Sequence, residues 1–139
     1  MKTTTILDYI PQRPPMVMVD ELIQCDHETA TSSFQIIAGN IFVDDKKFTE
    51  SGLIENIAQT AAAMVGYQCA LKKIPVPIGF IAAVKDLKIN FMPAVPSTIQ
   101  TSVRVTNNVM NVTIIEGRIE QTGKLLCICE MKILIQSKV

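Results

Sequence analysis

The sequence predicts an α+β fold, a curved antiparallel sheet wrapped around one long central helix. Two observations carry this. Residues 51–73 form one Ala-rich, nearly uncharged segment with apolar side chains almost all round, and a helix of that kind has to be covered by other elements rather than laid on a surface. The flanking stretches read as strands, several of them alternating apolar and polar residues with a period of two, as half-buried strands do. Two strands, a helix and four further strands make a one-helix, one-sheet layer solution. A chain of 139 residues fits a single domain of ordinary size.

Element by element, residues 4–9 are expected as a short helix ended by Pro11, and residues 16–25 as the first strand. A turn at Asp26-His27-Glu28 leads into a second strand over 29–37. Residues 38–50 form a loop carrying Asp44, Asp45, Lys46 and Lys47, which reads equally as a solvated surface turn and as the lip of a site that delivers the chain to Glu55. The helix over 51–73 has no β-branched run to interrupt it, and Pro75 and Pro77 stop it. Residues 78–91 are the next strand, followed by Met92-Pro-Ala-Val-Pro96. Residues 97–106 alternate, with Ile99, Val103 and Val105 on one face. Asn107-Asn108 is the expected turn, and residues 112–121 follow, with a slip at Ile114-Ile115 that suggests a bulge. After a turn at Thr122-Gly123, residues 124–136 point Leu125, Cys127, Cys129, Met131, Ile133 and Ile135 one way. The last four strands are expected to form an antiparallel meander. One helix covers only part of such a sheet, so edge strands remain for pairing and a symmetric homodimer or higher homo-oligomer is expected.

Composition narrows the function classes. With 48% apolar and 19% charged residues, the chain can build a core and is not a disordered segment. A formal net charge of zero and the absence of Trp give no support for nucleic acid as a partner. Residues 1–10 hold Lys2 and Asp8 and no apolar core of a secretory signal. The longest uncharged run, 56–71, is too short for a membrane span, so a cytoplasmic protein with no membrane partner is expected. Four cysteines without a CxxC pair, beside a single histidine, argue against a metal site; small buried apolar residues are the expected reading of the cysteines. No Gly-rich phosphate loop occurs, and no cofactor is expected.

Three stretches carry a resemblance. Ile10-Pro-Gln-Arg-Pro-Pro-Met-Val-Met-Val-Asp20 is similar to the N-terminal signature of FabZ-type 3-hydroxyacyl-[acyl-carrier-protein] dehydratases, which are hotdog-fold proteins. Leu53-Ile-Glu-Asn-Ile-Ala-Gln59 resembles their central-helix motif, and residues 78–96 resemble their substrate-side strand and its proline turn. The form Ser-Gly-Leu-Ile-Glu-Asn-Ile-Ala-Gln looks closest to the divergent branch typified by dehydratase-like proteins of aryl-polyene lipid clusters. The resemblance implies general acid–base chemistry on a 3-hydroxyacyl thioester, with a histidine of one subunit at the α-hydrogen and a helix carboxylate of the neighbouring subunit at the departing hydroxyl.

On this resemblance Glu55 is the carboxylate and Gln59, one turn on, orients it. Asn40, Phe42, Phe48, Gly52, Gly79 and Phe80 fall at substrate-binding positions. The departure from the family pattern is at Asn40, which stands where its histidine is expected. Asparagine is no base at neutral pH, and loss of a general base removes ~10²–10⁴-fold of rate. The only histidine, His27, lies in the first turn. Gln12 replaces a further histidine near the N-terminus. Three functions stay open: a dehydratase-like lyase acting on thioesters of acyl carrier protein or coenzyme A, a hotdog thioesterase using Glu55, and an acyl-binding subunit that pairs with a second hotdog chain. An acidic carrier protein needs a basic patch; Lys72, Lys73, Lys85 and Lys88 are candidates, or ordinary solvated lysines.

Overall fold

The computed structural model describes residues 5–136. Thr4, the first residue of the expected N-terminal helix, lies outside them; Ile6–Asp8 form a single 3-10 turn that ends at Tyr9. The strands are β1 (Glu21–Cys25), β2 (Thr29–Ile36), β3 (Val43–Asp44), β4 (Lys47–Phe48), β5 (Ile78–Ile89), β6 (Ser97–Val109), β7 (Val112–Gln121) and β8 (Lys124–Gln136), with one helix, α1 (Glu50–Lys72), between β4 and β5. Six strands form one antiparallel sheet in the order β1-β2-β6-β7-β8-β5. One long helix packed against a large antiparallel sheet is the arrangement the hotdog resemblance implies.

The helix has clear ends. Thr49 caps it, its hydroxyl accepting the Gly52 N–H at 3.4 Å. Lys73 closes it in the left-handed region at φ 54°, with the Lys73 and Ile74 N–H groups returning to the Ala70 and Cys69 carbonyls, and the prolines beyond prevent continuation. Leu53 and Ile57 of α1 are fully buried with Ile36 of β2, Ile99 of β6, Ile115 and Ile119 of β7 and Met131 of β8. Gly117 lets the helix approach the sheet, since a Cβ there would stand 2.5 Å from Ile57 Cγ2. The alternation expected in β6 is present: Ile99, Thr101 and Val103 are buried and their neighbours exposed.

Four expectations are corrected. Residues 16–20 are not part of the first strand, because side chains of α1 hold their backbone where a neighbouring strand would; pairing begins at Glu21. The chain does not turn at Asn107-Asn108 but stays in β6 and turns at Met110-Asn111, where Met110 takes φ 56°. The bulge opposite Ile114-Ile115 puts its extra residue, Thr106, on β6 rather than β7. A second bulge at Leu126 breaks the β8 alternation, so Leu126 is fully buried and Leu125 is not.

The meander is also shorter than expected. Only β6, β7 and β8 run in sequence; β5 pairs on the outer side of β8, and β6 pairs with β2. This leaves β5 as an edge strand. The charged loop resolves into a hairpin, β3–β4, whose turn residues Asp45 and Lys46 have φ 50° and 61°, as a two-residue turn between right-twisted strands requires. The hairpin is tied to residues 93–95 by Phe48 N–H to Pro93 O and Val95 N–H to Lys46 O.

Candidate functional site

Not every apolar side of α1 is covered by close packing. Glu55, Ala58, Ala62 and Val65 recur at helical spacing and are only partly buried. They form one wall of a cavity of about 300 Å³, whose other walls are Gly79, Phe80 and Ile81 of β5, Ile133 and Ile135 of β8, Thr113 and Ile115 of β7 and the 9–12 segment. Alanines on the helix leave the room that larger side chains would fill. The lining is overwhelmingly apolar, with Glu55, Gln12, Thr113 and Tyr9 as its polar-bearing side chains. An apolar cleft with a few placed polar groups is the usual form of a small-molecule site.

Glu55 is held by a clamp. Gln59 Nε2 donates to Glu55 Oε2 at 2.5 Å and to the Met16 carbonyl at 2.8 Å, while Gln59 Oε1 accepts the Met18 N–H at 2.7 Å. Both amide hydrogens and the amide oxygen of this fully buried side chain are thereby used. Asn56, next to Glu55, donates to the Met18 carbonyl at 2.7 Å and accepts from Thr101 Oγ1. Thr60 donates to the Asn56 carbonyl and meets Ser32 Oγ at 2.7 Å. Burying five such polar residues is tolerable because each is paired. Together they fix the 16–18 backbone against α1 and present one carboxylate oxygen of Glu55 to a fixed donor.

Of the expected site residues, the structure brings Glu55, Gly79 and Phe80 together on the cavity wall. Gln59 stands behind Glu55 and touches it from the protein side. Asn40, Phe42, Phe48 and Gly52 do not line the cavity. The Asn40 side chain accepts the Phe42 N–H at 2.8 Å and lies 3.3 Å from Met18 Sδ, so it serves its own turn. Phe48 is fully buried, its ring 5.9 Å from that of Phe34. A Cβ on Gly52 would sit 2.5 Å from the Phe48 ring and 2.9 Å from Phe42 Cβ, so this glycine makes room for two phenylalanines. His27 is almost fully solvated beside Glu28, in a turn organised by Asp26. That carboxylate accepts the Glu28 and Thr29 N–H groups, and these bonds hold its carboxyl down at about 2.

Asn56, Tyr9 and Thr113 have places here that sequence reasoning did not single out. Asn56 carried a signal, being polar on a helix otherwise apolar all round; Tyr9 and Thr113 carried none. Cys127 and Cys129 are buried in β8, and burial pushes their thiols up to about 12 and about 11. Among the described residues no group of three His, Cys, Asp or Glu side chains could hold a metal ion, and no helix is long and apolar enough to cross a membrane.

Comparison with solved structures places this architecture among hotdog-fold dehydratases and thioesterases. The dehydratase heterocomplex ApeI:P of Xenorhabdus doucetiae contains a chain that superposes with a TM-score of 0.91 at 15% identity, covering 99% of this chain and 94% of that one. A hypothetical thioesterase with coenzyme A from Streptococcus pneumoniae gives 0.68 at 7% identity, covering 85% and 86%. The E. coli PaaI protein from the phenylacetic acid degradation operon gives 0.65 at 11%, covering 82% and 81%. No curated protein matches by sequence. The family model for ApeP-like proteins, described as ApeP dehydratase, matches residues 4–138, nearly the whole length, and the chain belongs to that family.

Proposed function

We propose that this chain is a dehydratase-like subunit that acts on 3-hydroxyacyl thioesters of acyl carrier protein, in fatty-acid or related polyene-lipid synthesis, with Glu55 as its acid. The observation that carries the reading is the Glu55 carboxyl on the wall of a mostly apolar cavity, oriented from behind by Gln59. In the reaction a base takes the α-proton of the thioester. The C–H electron pair becomes the Cα=Cβ double bond, and the C3–O bond breaks. The oxygen leaves as water with the proton of Glu55, and the proton held by the base resets the pair. FabZ-type specificity and the carrier protein as donor rest on the motif resemblance.

Among the described residues no histidine reaches this cavity, and Asp44, Asp45 and Glu50 do not line it; on this reading the base belongs to a second hotdog chain. Support for a second chain comes from β5. Its first half, from Ile78 to Val84, is uncharged, and Ile78, Phe80 and Ile81 are exposed on a sheet edge that also forms the cavity rim. A long apolar edge is a hazard unless it is covered. A partner strand there would both bury the edge and close the cavity. Exposed Lys72 and Lys73 end α1 near the Val76-Pro77 rim, a position suited to an acidic carrier.

The test is turnover of 3-hydroxydecanoyl thioesters by the chain alone and with a hotdog dehydratase partner, followed by enoyl absorbance and free thiol. The expected result is enoyl product in the mixture and a drop of at least ~10²-fold with Glu55→Gln. Equal rates for wild type and Glu55→Gln in that mixture would sink the assignment. A lone carboxylate can also activate water for thioester hydrolysis, and release of thiol without enoyl product would assign the chain to that chemistry instead.

A further inference from the structure

We infer that Gln12 is the residue that recognises the 3-hydroxyl group, accepting a hydrogen bond from it; the inference rests on the thioester reading of this cavity. Gln12 Oε1 is the one buried side-chain nitrogen or oxygen among the described residues, with the residue itself not exposed, that has no hydrogen-bond partner. A buried carbonyl left without a donor is costly, and native structures keep few. This one belongs to a side chain on the wall of the same cavity as Glu55.

The backbone that carries Gln12 is fixed. Arg13 Nη1 donates to the Ile10 carbonyl at 2.8 Å and to the Gln12 carbonyl at 2.7 Å. Tyr9 is pressed on α1, where Gly66 lets its carbonyl approach so closely that a Cβ would stand 2.0 Å away, and its ring meets Tyr67 edge-on at 5.5 Å. These contacts hold the backbone that carries Gln12. No side chain of the lining donates to Gln12 Oε1, and a ligand hydroxyl is a donor that would match it. A ligand that matches has an apolar chain and one O–H a short way along it.

The chemistry couples the two residues. As Glu55 passes its proton to the hydroxyl oxygen, that oxygen gains positive character and its own O–H becomes a stronger donor. The bond to Gln12 Oε1 then strengthens toward the transition state, which is the condition for a contact to aid rate as well as binding. Gln12 is thus a substrate-binding residue with a specificity role.

The experiment measures binding of 3-hydroxydecanoyl- and decanoyl-pantetheine to the full-length chain, and to Gln12→Leu and Gln12→Met, by calorimetry with thermal denaturation in parallel. Wild type should prefer the hydroxylated ligand by about 5- to 30-fold, the worth of one buried hydrogen bond. Both variants should bring the ratio to about 1, with decanoyl binding kept and thermal stability unchanged or raised. A preference that survives both substitutions overturns the inference while leaving the thioester reading intact. Equal weakening of both ligands moves the contact to a pantetheine amide and overturns it as well. Failure of wild type to bind either ligand removes the thioester reading and this inference with it. A fall in melting temperature in both variants with an unchanged ratio would make Gln12 structural.

Discussion

Gln59→Leu tests whether the helix amide, rather than a neighbouring strand, holds residues 16–18 in place. The substitution removes three hydrogen bonds: from the Met18 N–H, to the Met16 carbonyl and to Glu55. They are not equal in cost. Met18 is fully buried, whereas Met16 is 41% exposed, so the Met16 carbonyl can turn to water and the Met18 N–H cannot. One buried unsatisfied donor costs about 1–3 kcal/mol, and losing the bond to a carboxylate adds to it, part being recovered by the apolar leucine. The expected net loss is about 2–3 kcal/mol, or roughly 7–10 °C in melting temperature for a chain of this length. Urea unfolding with an unchanged m-value measures it, and amide exchange at Met18 locates it. A companion variant, Gln59→Glu, keeps the acceptor for Met18 but sets a second carboxylate against Glu55. Like charges raise the folded-state pKa of one acid, so its stability deficit should be small near pH 4 and grow toward pH 7. A Gln59→Leu loss under about 0.5 kcal/mol with Met18 still protected would refute the clamp.

Two further outcomes probe packing and titration. Gly66→Ala puts a Cβ 2.0 Å from the Tyr9 carbonyl, backbone that cannot swing aside; the strain should exceed the gain in helix propensity and cost about 1–2 kcal/mol. Gly39→Ala, with nothing within 4 Å, should change the urea midpoint little. For the thiols, burial lifts Cys25 to about 11, Cys127 to about 12 and Cys129 to about 11 from an ordinary 9.0. The unfolded chain therefore loses these protons first as pH rises above 9, so stability declines from pH 9 upward. Urea midpoints at pH 8, 9, 10 and 11 check this, the slope being shallower in Cys127→Ala. At pH 8 a thiol reagent should label Cys127 and Cys129, both buried, only after denaturant is added.

How much was legible follows from whether the signal was local. The helix start near Ser51, its stop before Pro75 and the alternation of Ile99 and Val103 are all written in short windows, and the structure has them nearly where the sequence puts them, with α1 over Glu50–Lys72. The placement of β5 outside β8 depends on pairing between residues 38 to 58 positions apart, from Ile89 with Cys127 to Ile78 with Gln136; adjacency in sequence misleads there. The bulges at Thr106 and Leu126 failed for a related reason. Each inserts one residue into a ladder, so alternation read along a single strand changes face without any residue type announcing it. Asn107-Asn108 looked like a turn because asparagine is common in turns, yet with Thr106 bulged these residues still pair with Ile114 and Thr113.

The site divides along the same line. Glu55 and Gln59 were legible as a pair because i and i+4 meet on any helix, and the structure joins them. What the helix pattern could not say is which neighbour each faces. A segment apolar on all sides gives no direction to its polar exceptions, so Glu55, Asn56, Gln59 and Thr60 read alike. In the fold they separate: Asn56, Gln59 and Thr60 are fully buried and spend their polar atoms mainly on residues 16–18, Ser32 and Thr101, while Glu55 is only partly buried, on the cavity wall. The buried group has its donors and acceptors matched inside the protein. The cavity pair, Glu55 and Gln12, does not: one has a carboxylate oxygen beyond the Gln59 bond, the other an amide oxygen with no donor. Polar atoms left unmatched on the lining of one mostly apolar cavity, beside a buried group whose atoms are all matched, are what the reading of a site for a hydroxylated chain rests on.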